Sequence, residues 1–158
     1  MKKKIFSVFA IILCCFVLTA CGGDAVCGDW KVDSYSYLYN GVTYEYTNNQ
    51  AKDFEPNIEI MQNKDGKYTD EQVVQASIGF LYTQSHNLIY RFNAKNVLEI
   101  IGVSTSIEYN WSRKGNSIVA TLSNEVENIL TFVIKDDNTM CITQQDDTNE
   151  LNIILKRS

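Results

Sequence analysis

Histidine and proline each occur once in this sequence of 158 residues, as His86 and Pro56. A lone histidine, with no cysteine pair at metal-ligand spacing, excludes a zinc site of the usual nitrogen and sulfur kind. It also leaves any serine-histidine-acid arrangement a single candidate base, and no nucleophile elbow accompanies it. One proline excludes a proline-rich spacer. No repeat of solenoid period and no low-complexity tract occurs. Basic residues are scarce, 14 against 19 acidic, and three of the 14 are Lys2, Lys3 and Lys4. Without a basic patch, nucleic acid is not an expected partner, nor is electrostatic adhesion to an anionic bilayer.

What is present begins at the N-terminus. After the three lysines, Ile5 to Leu18 carries no charge and reads as the apolar region of a secretory signal. As a helix it would span roughly 21 Å, short of the about 30 Å hydrocarbon core, so it reads as a signal and not a permanent span. It ends in Leu18-Thr19-Ala20-Cys21. These four positions resemble the lipobox of bacterial lipoproteins: aliphatic, small or polar, small, cysteine. The resemblance implies that the Cys21 thiol receives diacylglycerol and becomes the N-terminus after cleavage. Acyl chains such as palmitate then hold the protein, and two chains suffice for stable anchoring. Gly22 and Gly23 would supply a flexible tether. The expected division is a signal peptide over 1–20, a lipidated tether over 21–26 and one globular domain over 27–158. That domain would sit on the outer, extracellular face of the bacterial cytoplasmic membrane.

Of the five cysteines, Cys14 and Cys15 leave with the signal and Cys21 takes the lipid, so Cys27 and Cys141 remain. Two thiols in an exported domain suggest one disulfide. It would close more than 100 residues and, by chain entropy, contribute roughly 4 to 5 kcal/mol; two free thiols are the alternative. Loss of the three signal lysines leaves 11 basic residues against 19 acidic, a net charge of −8. The remaining 138 residues suit a single domain with its own core.

Short β-rich runs separated by turn clusters at roughly ten-residue spacing dominate this domain. Turns are expected at Asn40-Gly41, Lys64 to Lys67, Lys114 to Asn116, Asp136 to Asn138 and Asp146 to Asn149. Strands are expected at Asn57 to Ile60, Leu88 to Phe92, Val97 to Val103, Ile107 to Ser112, Ser117 to Leu122, Ile129 to Lys135, Thr139 to Gln144 and Leu151 to Lys156. This pattern predicts an all-β antiparallel meander of about 8–10 strands, closed into a barrel that removes its exposed edges. Gln50 to Asp53 is a candidate helical turn. Asp70 to Gln84 fits either helix or strand: Val73, Val74, Ser77, Ile78 and Leu81 fit a helix face, whereas Gly79, Phe80 and Tyr82 favour strand, which is the expectation.

The domain opens with Val26-Cys27-Gly28-Asp29-Trp30-Lys31-Val32 and ends Leu151 to Ser158. At a period of two, Leu151, Ile153, Leu155 and Arg157 share a face. Gly28-x-Trp30 at the first strand resembles the G-x-W motif of the lipocalin and fatty-acid-binding superfamily, in which a basic residue near the end of the last strand covers the tryptophan. The resemblance implies that Gly28, Trp30 and Arg157 close the barrel base, with a cation–π contact worth about 0.5 to 2 kcal/mol. The wider layout resembles lipocalin-like lipoprotein domains of Gram-positive gut bacteria. The matching elements are the Asn40-Gly41 hairpin, Ile58-Glu59-Ile60 before Asp65-Gly66, Tyr109-Asn110-Trp111 before Gly115-Asn116, and the closing run to Arg157. With Trp30 facing inward, parity puts Cys27 outside, and Cys141 also faces out if Met140 and Ile142 face in. Parity thus allows a bridge on the outer wall but does not require one, since Cys141 lies in the penultimate strand.

His86 lies in Gln84-Ser85-His86-Asn87, which reads as a turn and not as a catalytic site. Asp136-Asp137 and Asp146-Asp147 read as turn formers beside asparagine, in preference to calcium ligands or an acid/base pair. Five tyrosines fall between Tyr35 and Tyr46. Tyr35, Tyr37 and Tyr39 share a face, opposite Trp30 and Val32 unless a bulge intervenes. They pack within a hairpin, form an outer stripe for a glycan or protein, or, with a reversal of side, line one end of the barrel with phenols. Tyr109 and Trp111 either line a pocket or fill a narrow barrel. The leading expectation is a lipoprotein whose barrel binds a small apolar or amphipathic ligand without catalysis. The alternative is a filled barrel that binds an envelope protein or glycan through its Tyr-rich hairpin. No cofactor, no metal and no enzymatic activity are expected.

Overall fold

The computed structural model describes residues 24–47, 50, 57–122, 128–145 and 149–158. The signal segment, Cys21 and its glycines, residues 51–56, on which the expected helical turn partly falls, and Asp146 to Thr148 of an expected turn lie outside the described residues. Nine strands are described: β1 (Gly28–Tyr39), β2 (Val42–Thr47), β3 (Ile89–Phe92), β4 (Val97–Ile101), β5 (Ser106–Lys114), β6 (Ser117–Leu122), β7 (Ile129–Asp136), β8 (Thr139–Gln145) and β9 (Glu150–Arg157). Two helices, α1 (Ile58–Gln62) and α2 (Asp70–Ser85), separate β2 from β3.

Every pairing is antiparallel, and β3 to β9 follow one another as neighbours. The long strand β1 closes the sheet. One of its edges pairs with β3 through Gly28–Lys31 and with β2 through Ser34–Tyr39; the other pairs with β9 from Trp30↔Arg157 to Leu38↔Glu150. β1 and β3 to β9 thus form a closed eight-stranded up-and-down barrel, and the β1–β2 hairpin extends beyond it. Closure satisfies the backbone of what would otherwise be two sheet edges. The hairpin turns on Asn40 (φ 49°) and Gly41 (φ 77°), the two consecutive positive φ values that a type I′ turn requires.

Two segments expected as strands are helical. Asn57 to Ile60 instead begins α1, where the Asn57 side chain caps the helix by accepting from Ile60 N at 3.2 Å. Residues 70–84 form α2. Thr69 and Gln72 make a reciprocal capping box, and Asp70 and Glu71 place negative charge at the helix N-terminus. Val74, Ile78 and Tyr82, four residues apart, are buried against the barrel. The β-favouring Phe80 and Tyr82 were misleading because helical spacing, not propensity, matches the surface available for burial.

The expected disulfide is not formed: Cys27 and Cys141 are free thiols. The register explains why. Cys141 pairs with Ile154, and Ile154 with Ser34, so Cys141 lies level with Ser34. Cys27 precedes the first residue of β1 and therefore lies roughly 20 Å away along the strand direction, far beyond the about 7 Å Cα limit for a bridge.

Candidate binding site at the barrel mouth

The base of the barrel is closed by the three residues named for it. Trp30 is 1% exposed and its Nε1 donates to Val26 O at 2.9 Å. The Arg157 guanidinium lies over the indole, 4.5 Å from its centroid. It also donates to Cys27 O at 2.9 Å, to Asp137 O at 3.3 Å and to Ala25 O. Gly28 adopts φ +135°, and a Cβ there would lie 2.9 Å from Arg157 Nη1, so glycine meets both a backbone and a space requirement. Arg113 holds Asp24 in an ion pair beside this cap.

Above the base, the barrel is full. Phe92 packs edge-on against Phe132 at 5.3 Å and Trp111 at 5.6 Å, and Tyr90 meets Phe132 at 6.2 Å. Leu98, Ile118, Ala120, Met140 and Leu155 are fully buried around them. Tyr109 and Trp111, on one face of β5, belong to this packed core and do not line a cup. Burial raises the Tyr90 phenol well above its ordinary range.

The mouth is built differently, and a bulge makes the difference. Val32 pairs with Leu155 while Ser34 pairs with the next residue back, Ile154, so Asp33 is an extra residue on β1. One extra residue exchanges the two faces of everything after it. Trp30 and Val32 point inward, and beyond the bulge Tyr35 does as well, at 4% exposure. The tyrosine stripe therefore joins the inner face at the upper end and is not an outer stripe. Tyr35 packs edge-on against Tyr82 of α2 at 6.0 Å, and its hydroxyl lies 2.7 Å from Ser85 Oγ. Ser85 Oγ also lies 2.8 Å from Leu81 O, so this hydroxyl pair is tied to the last turn of α2. Burial raises the Tyr35 phenol also. Tyr46 of β2 closes the other side of Tyr82 at 5.4 Å.

Between α2 and the strand ends lies a cavity of about 460 Å³. Its floor is a registered row, Tyr37↔Leu151↔Gln144, contributed by β1, β9 and β8. Its wall is the α2 face carrying Val73, Val74, Ser77, Ile78 and Leu81, and Gln145 and Asn149 complete the rim. The described lining contains no ionisable side chain except the Tyr37 phenol. Such a surface accepts an apolar body and offers amides and hydroxyls to an uncharged polar group. Tyr39 stacks on Tyr37 at 6.0 Å and 21°.

The sequence had indicated Tyr37, and Val73, Val74, Ser77, Ile78 and Leu81 as residues that fit a helix face, but the segment was expected as strand and this face was not assigned to a site. The signal that decides for helix is Thr69-x-x-Gln72, a capping box preceding Val73 and Val74.

The other candidates serve structure. His86 ends α2, with its ring stacked on Tyr82 at 5.6 Å and Nδ1 2.9 Å from Thr83 O. Asp136 accepts from Asn138 N at 2.9 Å within the β7–β8 turn, and the same bond lowers its carboxyl pKa. Asp147 lies outside the described residues, as does Asp146. Among the described residues, no cluster of three His, Cys, Asp or Glu side chains could hold a metal ion.

An eight-stranded up-and-down barrel, closed between first and last strands and capped at its base by arginine over tryptophan, is a lipocalin-like barrel in architecture. No protein-family model matches the chain, and no curated protein matches it. Among solved structures the chain is similar to a lipocalin-like protein from Bacteroides uniformis, at 14% identity and a TM-score of 0.42, over 85% of this chain and 99% of that one. The fold class rests on strand order and closure within this chain.

Proposed function

We propose that this protein is a membrane-anchored surface lipoprotein whose barrel is a filled scaffold. Its α2-walled mouth pocket binds a small, uncharged, amphipathic molecule without catalysis. One observation carries this reading: the Asp33 bulge turns the phenol stripe to the inner face, where Tyr37 becomes the floor of a cavity of about 460 Å³, a size suited to a small ligand. The anchor is supported by the Lys2 to Cys21 pattern, and the absence of chemistry by the structural roles of His86 and Asp136. The ligand site thus differs in place from the barrel interior first expected, because aromatic side chains occupy that interior.

The test is native mass spectrometry of residues 22–158 purified without detergent, followed by titration with Nile red, a neutral amphipathic dye. A discrete adduct or dye binding that Val73→Trp abolishes, with unfolding unchanged, supports the pocket. Dye binding indifferent to Val73→Trp refutes it. A second reading is favoured by the hairpin tip, where Leu38 and Val42 are 37% and 51% exposed. An apo mass together with no dye binding would transfer the function to that hairpin as a contact for an envelope protein or glycan.

A further inference from the structure

We infer that the domain stands base-down on its membrane, with the mouth pocket opening away from the bilayer. The inference rests on the lipid anchor proposed above and adds a direction to it.

The residues just after the tether are fixed to the base of the barrel. Asp24 is paired with Arg113, Ala25 O and Cys27 O accept from Arg157, and Val26 is buried with its carbonyl taken by Trp30 Nε1. From Cys21 to Asp24 the chain spans at most about 11 Å even when fully extended. Asp24 is therefore held within about that distance of the lipid headgroups, and the Arg113 side chain paired with it brings the end of β5, with Lys114, to the membrane side. The opposite end of β5, at Ser106, is roughly 26 Å further along the strand, or about 20 Å along the barrel axis at the usual tilt. A tether of this length cannot carry the mouth round to the bilayer. The base end gathers Lys95, Arg113, Lys114 and Arg157 against Asp24, Asp136 and Asp137, whereas the protein without its signal carries a net charge of −8, so an anionic leaflet repels the rest of the surface more than the base.

Two consequences follow for the pocket. Its ligand arrives from the aqueous side and not by lateral entry from the lipid. The α2 face and the hairpin tip are the parts of the molecule presented to other components of the surface.

The experiment uses the full-length, lipidated protein in vesicles of phosphatidylcholine and phosphatidylglycerol containing a nitroxide-headgroup lipid. A fluorophore is attached by click chemistry to p-azidophenylalanine, placed at Lys114 in one variant and at Val103 in another. Val103 is 92% exposed in the β4–β5 turn at the mouth, and Lys114 lies exposed at the base. Quenching at Lys114 should be at least about threefold stronger than at Val103, given their separation. Inserting twenty Gly/Ser residues between Gly23 and Asp24 should remove most of that difference. Equal quenching at both positions, or stronger quenching at Val103, overturns the orientation while leaving the anchor intact. Failure of the wild-type chain to join the vesicle fraction when Cys21 is present overturns the anchor itself, and the orientation with it.

Discussion

Replacing Arg157 by alanine would remove the cap from Trp30, and the structure allows its cost to be worked out. The cation–π contact at 4.5 Å is worth about 1 kcal/mol at a partly exposed site. The bonds to Cys27 O, Asp137 O and Ala25 O release carbonyls that water can reach, so each contributes only about 0.5 kcal/mol net. Uncovering roughly 40 Å² of indole adds about 1 kcal/mol. The sum is about 3 to 4 kcal/mol, and a chain of this size should lose roughly 10 °C in Tm. Urea unfolding followed by tryptophan fluorescence is a direct assay, because Trp30 is one of only two tryptophans. The folded baseline should also shift to longer wavelength as Trp30 meets water. Gly28→Ala gives the cross-check. Its Cβ would collide with Arg157 Nη1 at 2.9 Å, so part of its cost should vanish when Arg157 is already absent. The double-mutant cycle should show a coupling of about 0.5 kcal/mol or more. A loss below about 0.5 kcal/mol for Arg157→Ala, or strict additivity with Gly28→Ala, would refute the closed-base argument.

Alkaline pH should destabilise the domain through its buried phenols. Tyr35 and Tyr90 are raised by burial above their unfolded value near 10, so above that pH the unfolded state has fewer bound protons than the folded one. Stability should therefore be fully present below about pH 10 and then fall by up to about 1.4 kcal/mol per pH unit for each phenol; a urea midpoint unchanged to pH 11.5 would contradict this. Residues 22–158, denatured without reductant, should yield two alkylatable thiols. In the native protein Cys27 should react and Cys141, at 2% exposure, should react at least about 100-fold more slowly; finding no thiols would restore the disulfide.

Much of the barrel is legible in the sequence because its strands are rich in β-favouring residues and most end at turn formers. Asn40-Gly41 and Gly115-Asn116 mark their own hairpins through positive φ at Asn40, Gly41 and Gly115. Alternation phases Arg157 with Leu155, Ile153 and Leu151, and the resemblance of Gly28-x-Trp30 to the G-x-W motif implies the partner that Arg157 covers. The binding pocket is not legible in the same way. Tyr37 was visible as one of a stripe, but its side of the sheet depended on whether Asp33 was a bulge, and nothing in Val32-Asp33-Ser34 announces the extra residue.

Local pattern by itself determined the antiparallel meander and its hairpins, since alternation and turn chemistry act over two to four residues. Tertiary structure alone decided the rest. Whether Asp70 to Ser85 became helix turned on the burial of Val74, Ile78 and Tyr82 over the mouth. Whether the barrel was hollow turned on Phe92, Trp111 and Phe132 meeting at its axis. Whether Cys27 met Cys141 turned on strand register. Each of these joins residues far apart in the chain, and the free energy that selects among the alternatives exists only once those surfaces have come together.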